Sequence, residues 1–164
     1  MVLILFILLI VSLGAVSAAD NVNETLGTDD VSQGDEILTA SQYTVTSSNY
    51  GSYFSSSGEL IGSAVNAGDT LTLSGNFEGK DFIINKNVTV AGSGGTITNG
   101  IVKLTSGASG SAVHDLKIRN TENFHQGIYL LGATNCEIYK NDIINQGQSS
   151  YAITLIEGAD YNHV

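Results

Sequence analysis

Between Val102 and Val164 one short pattern is written almost three times, and it restricts the possible folds of this 164-residue chain more than any other feature. The dipeptide Gly-Ala recurs as Gly107-Ala108, Gly132-Ala133 and Gly158-Ala159, at a nearly constant spacing. Apolar residues keep step with it. Val102 and Leu104 precede the first anchor, Ile128 and Leu130 the second, Ile153 and Leu155 the third. Val113, Ile118 and Asn120 match Ile138, Ile143 and Asn145, each one repeat further on. A period of this size, about 25 residues, belongs to stacked-repeat architectures.

The pattern inside each unit says which kind. Ile128-Tyr129-Leu130 and Ile153-Thr154-Leu155 alternate with period two, as strands with one inward face do. The run from Ile138 to Ile143 reads as a second strand beyond a glycine-containing bend. Nothing between the runs repeats at the helical period over a helical length, so helical and leucine-rich repeats fit poorly. Short strands and tight turns in about 25 residues make one coil of a parallel β-helix, each coil pairing with the next at roughly 4.8 Å. Glycine is expected at the corners for its backbone freedom and alanine where coils crowd. Asn120 and Asn145 are expected to tolerate left-handed angles and to bond one another up the stack.

Taken from the start, residues 1–19 carry no charged side chain, and Val2–Val11 is almost wholly apolar. With Ser17, Ala18 and Ala19 before Asp20, this reads as a secretory signal peptide. It lacks a basic residue ahead of the apolar run, and it falls short of the roughly 20 apolar residues a membrane span needs. No later segment reads as a span. Residues 20–36 hold six of the sixteen acidic residues and no Lys or Arg, the composition of a solvated linker.

Residues 37–68 read as an amino-terminal cap. Ser56-Ser57-Gly58-Glu59 matches the S-x-x-E capping box, and Leu60, Ile61, Ala64 and Val65 fall on one helical face. A short helix there would cover the open end of the first coil. From residue 69 to 164 the chain makes about four coils, the first with looser spacing. The fold class is all-β: a right-handed parallel β-helix with a short amino-terminal helical cap.

Charge and side-chain chemistry narrow the function. The net charge is −10, and Lys103, Lys117, Arg119 and Lys140 are dispersed, so nucleic acid is not an expected partner. Cys136, the single cysteine, aligns with Ser111 and reads as a packed thiol near a turn. Asn23 and Asn87 head N-glycosylation acceptor triplets. Glycoside hydrolysis needs two carboxylates about 5–10 Å apart, and on stacked coils such a pair would repeat at the coil spacing. Asp115 instead aligns with Lys140, Lys117 with Asp142, and Ala112 with Glu137. His114 aligns with Tyr139, while His125 and His163 fall in a loop and near the terminus. No catalytic set, metal site or cofactor is expected.

The leader, the block YTVTSSNYGSYFSSSGELIGSAVNAGDTLTLSGNF and the rungs GATNCEIYKNDIIN resemble the amino-terminal part of archaeal adhesin-like surface proteins. These proteins of host-associated methanogens carry pectin-lyase-like β-helix repeats. The resemblance implies export and display at the cell surface, and attachment to glycans or other cells. The alternative is part of a polysaccharide lyase or glycoside hydrolase of the same fold whose catalytic coils are missing. Val164 falls in mid-coil, so the chain reads as a fragment, or as one that self-associates through an open last coil.

Overall fold

The computed structural model describes residues 39–164, within a compact unit spanning Ile37–Val164. The signal segment, the acidic stretch and Asn23 lie outside the described residues. The described chain is a β-solenoid built from parallel strands. An irregular opening turn contributes β1 (Gln42–Val45). Four regular coils follow, each of three strands. The first holds β2 (Thr70–Leu73), β3 (Asn76–Glu78) and β4 (Phe82–Ile84); the second β5 (Thr89–Gly92), β6 (Thr96–Thr98) and β7 (Val102–Thr105). The third holds β8 (Ala112–His114), β9 (Lys117–Asn120) and β10 (Gln126–Leu131); the fourth β11 (Glu137–Tyr139), β12 (Asp142–Asn145) and β13 (Tyr151–Ile156).

Corresponding strands stack into three sheets, in the orders β1-β2-β5-β8-β11, β3-β6-β9-β12 and β4-β7-β10-β13. Every strand pair is parallel. Alternate residues therefore point inward and stack on the same position one coil away. One column runs Phe82, Val102, Ile128 and Ile153, another Ile84, Leu104, Leu130 and Leu155. The first three members of each are fully buried. Thr70, Thr89, Ala112 and Glu137 are register partners at the start of successive coils, and the intervals between them lengthen along the chain. Part of the lengthening lies between the second and third sheets, where residues 79–81 and 99–101 give way to 121–125 and 146–150.

The opening turn differs from expectation. Residues 39–68 contain no α-helix, only a 3-10 turn at Tyr50–Ser52. The Leu60 amide donates to the Ile83 carbonyl and the Ile61 amide to Tyr53, so these donors pair across segments instead of along a helix. Gly58 supplies the reason: at φ +81 it closes a turn in which Ser55 and Glu59 bond one another. The segment is thus a partial coil, with β1 beside β2 and Glu59 bridged to Ile83. Tyr50, Phe54, Phe77 and Phe82 form its core, with neighbouring ring centroids 5.1–6.5 Å apart.

The run Ile138–Ile143 is two strands, divided at a corner where Lys140 takes φ +54; Asp115 does the same one coil earlier at +56. Of the three Gly-Ala anchors, Gly132 and Gly158 sit at positive φ (+67 and +77). Gly107 has no such angle. It lies in a 3-10 turn, where a Cβ would stand 2.4 Å from the Asn85 carbonyl oxygen. Ala108 and Ala133 are fully buried, and Ala159 packs partly against the core. Asn120 and Asn145 are register partners in strands, at ordinary φ, and bond backbone instead of one another. Asn120 accepts from the Gly100 amide at 3.2 Å and donates to the Gln126 carbonyl, while Asn145 donates to the carbonyls of His125 and Tyr151. An amide at a strand end spans a corner in this way, which the strand ladder alone leaves unsatisfied.

Candidate functional site

The same register that stacks the core arranges the outward residues in columns. On the first sheet, Thr44, Thr72, Ala91, His114 and Tyr139 follow one another, one per coil. The last two rings stack with centroids 4.8 Å apart and planes 11° apart. Asp115 Oδ2 lies 2.7 Å from His114 Nδ1, and the Lys140 ammonium sits 6.0 Å from the Tyr139 ring centre. Equivalent left-handed corners bring Asp115 and Lys140 to the same edge of this face. On the third sheet, the Lys103 ammonium lies 5.4 Å from the ring of Tyr129, its register partner. Tyr129 and Tyr139 thus each lie beside a cation.

Three acidic side chains, Asp115, Asp142 and Glu122, meet partners of the other kind. Asp142 pairs with the Arg119 guanidinium, which holds its carboxyl below the usual carboxylate range. Glu122 lies 3.1 Å from His125. Among the described residues no three His, Cys, Asp or Glu side chains converge as a metal site. Cys136 and Ser111 are both buried, and the Ser111 hydroxyl accepts from the Val88 amide. Burial pushes the Cys136 thiol up. Asn87 is exposed at the corner between β4 and β5.

A cleft of about 540 Å³ opens between the Ser55–Gly58 turn and the corner at Gly79–Asp81. Ser47 and Ser56 line it, and Tyr50 and Phe54 form its inner wall. The Tyr50 hydroxyl donates to the Asp81 carbonyl, and the Lys80 ammonium lies 5.3 Å from the Tyr50 ring centre. The sequence gives no sign of this tie, because nothing local links residue 50 to residue 81.

Burial, and then the Asp81 charge, push the Tyr50 phenol up to about 12 from its ordinary 10. A raised native value favours the protonated, folded form. Its contribution is fully present below pH 10 and is lost as pH rises to about 12, by roughly 3 kcal/mol for a two-unit shift. Urea midpoints at pH 8, 10 and 11 should therefore fall more steeply for the wild type than for Tyr50→Phe. Parallel slopes would show that Tyr50 ionises normally.

Comparison with protein-family models, with curated proteins and with solved structures finds no match.

Proposed function

We propose that this chain is an exported structural module of an adhesin-like surface protein, a β-solenoid stalk that meets glycans or other cell surfaces through its outward faces. The observation that carries the reading is the column of outward residues, one per coil, ending in the stacked His114 and Tyr139. A column with a hydroxyl or an aromatic ring on every coil but the one that bears Ala91 suits a repeating polymer, which meets several coils at once and gains from multivalent contact. Aromatic rings supply apolar area while the flanking charges and hydroxyls supply hydrogen bonds. The role is non-catalytic on this reading, in keeping with carboxylates engaged by Arg119, His114 and His125. Asn87, exposed at a corner, is the proposed glycosylation acceptor within the solenoid. Fold alone does not fix function, so binding must be measured.

The test is a glycan array probed with the chain and with Tyr139→Ala. Retention on a subset of polymers is expected, with affinity lowered roughly tenfold by the substitution, about 1.4 kcal/mol. A chain retained by no glycan would defeat the attachment role and leave a spacer.

A further inference from the structure

Both walls of the cleft beside Tyr50 are fixed by hydrogen bonds. In the Ser55–Gly58 turn the Gly58 amide donates to the Ser55 carbonyl at 3.0 Å and the Glu59 amide to Ser55 Oγ at 3.1 Å. At the facing corner the Gly79 amide donates to the Thr98 carbonyl, and Asp81 Oδ1 accepts from the Ile101 amide at 3.1 Å. The walls meet at Gly58, where a Cβ would stand 2.7 Å from the Asp81 carbonyl oxygen. The Tyr50 hydroxyl reaches the same oxygen. At about 540 Å³ the cleft lies within the range of small-molecule sites, about 300–1,000 Å³. Walls already in place lower the ordering cost of binding.

The lining selects the kind of ligand. Lys80 and Asp81 bring one charge of each sign to the same corner, and neither forms an ion pair among the described residues. An anion is opposed by Asp81 and by the net charge of −10, and a cation is opposed by Lys80. A neutral molecule whose groups both donate and accept suits the two together, and it suits the hydroxyls of Ser47 and Ser56 on the rim. The aromatic wall offers little free area. Phe54 stacks on Tyr50 at 5.1 Å, the Lys80 ammonium lies over the Tyr50 ring, and both rings are buried. Hydrogen bonds must therefore hold the ligand. A compact neutral ring covered in hydroxyls, a pyranose, has that chemistry.

We propose that this cleft binds a single neutral sugar unit, with Asp81 accepting from its hydroxyls and Lys80 and Ser56 donating to them. The inference rests on the glycan reading above and adds a second place of contact to it. The first-sheet column meets a polymer along its length, whereas the cleft holds one unit, such as a chain end. A site held by hydrogen bonds and open to water binds weakly, with a Kd of about 1–10 mM.

Heteronuclear NMR on the full chain tests this, with the methyl glycosides of glucose, galactose, mannose and glucuronic acid as probes, each to about 50 mM. At least one neutral glycoside should give saturable shifts centred on the amides of Ser56, Ser57, Lys80 and Asp81. The glucuronide should bind more weakly, by roughly fivefold or more, because its carboxylate meets Asp81. Asp81→Asn, which keeps an oxygen for the Ile101 amide, should weaken binding roughly fivefold. Ser56→Trp, which puts a bulky ring on the rim at an exposed position, should abolish it. Tyr139→Ala, on the first sheet, should leave it unchanged. The proposal is overturned if no neutral glycoside gives saturable shifts, if the glucuronide binds as tightly, or if either cleft variant binds like the wild type. Polymers retained on the array while no glycoside enters the cleft would overturn the cleft alone and leave the glycan reading standing.

Discussion

Phe82→Ala should destabilise the solenoid by about 4 kcal/mol, read as a lowered guanidinium midpoint at unchanged slope. Phe82 is fully buried, and the rings of Tyr50, Phe54 and Phe77 surround it at 5.1–5.5 Å. Truncating a buried phenylalanine costs about 3–5 kcal/mol through lost transfer energy and the cavity left behind. Edge-on aromatic contacts add about 0.5–1.5 kcal/mol apiece. Here the loss falls where the opening turn meets the first coil, and residues 50–54 can refill little of the space because their backbone is pinned by the 3-10 turn. A domain stable by about 5–15 kcal/mol would keep only part of its margin. Phe124→Ala is the control: at 71% exposure it should cost under about 0.5 kcal/mol. Similar losses at both positions would contradict the core described above.

Asp69→Ala is the second large effect, about 3 kcal/mol, and its cause is polar. Asp69 is 2% exposed, with no described cation in an ion pair with it. Its carboxylate accepts from the amides of Ser41 and Asn66, each at 2.7 Å. Removing it strands two part-buried donors, at about 1–3 kcal/mol for each group left unsatisfied. Because Ser41 leads into β1, the damage should concentrate there. Amide exchange at Tyr43 and Val45 should quicken well before exchange in β7 or β10. Asp69→Asn, which retains one acceptor oxygen, should fall between wild type and alanine. An alanine variant as stable as wild type would show that water satisfies those amides.

How much of this was written in the sequence depends on how far each feature is local. Ile128 and Leu130 announce their column because Ile153 and Leu155 repeat them one coil later. The first coil, from Thr70 to its register partner Thr89, is shorter than those after it, so no fixed period finds it. Phe77 in the short strand β3 escaped notice there, though it is buried. The corner that divides β11 from β12 depends on Lys140 at positive φ, which its side chain does not advertise. The expected helix over Leu60–Val65 satisfied both an apolar spacing and a capping box. Gly58, inside that box, was the local sign against it, but pairing with Ile83 decided the outcome. The His114–Tyr139 column was legible from alignment alone, whereas the cleft at Tyr50 depends on residues 50 and 81 meeting across the first coil.

The central claim is that parallel coils stack in register. It is tested most directly by cysteine pairing with Cys136 changed to serine, the residue at the equivalent position 111. His114→Cys with Tyr139→Cys joins register partners on an outward face, about 4.8 Å apart at Cα and within disulfide reach. Ala112→Cys with Tyr139→Cys lies two residues out of register. Mild oxidation should close the first pair within the chain, seen as a reductant-sensitive shift in gel mobility, and leave the second open. Closure of the out-of-register pair in preference to the first would contradict the stacking on which the whole account rests.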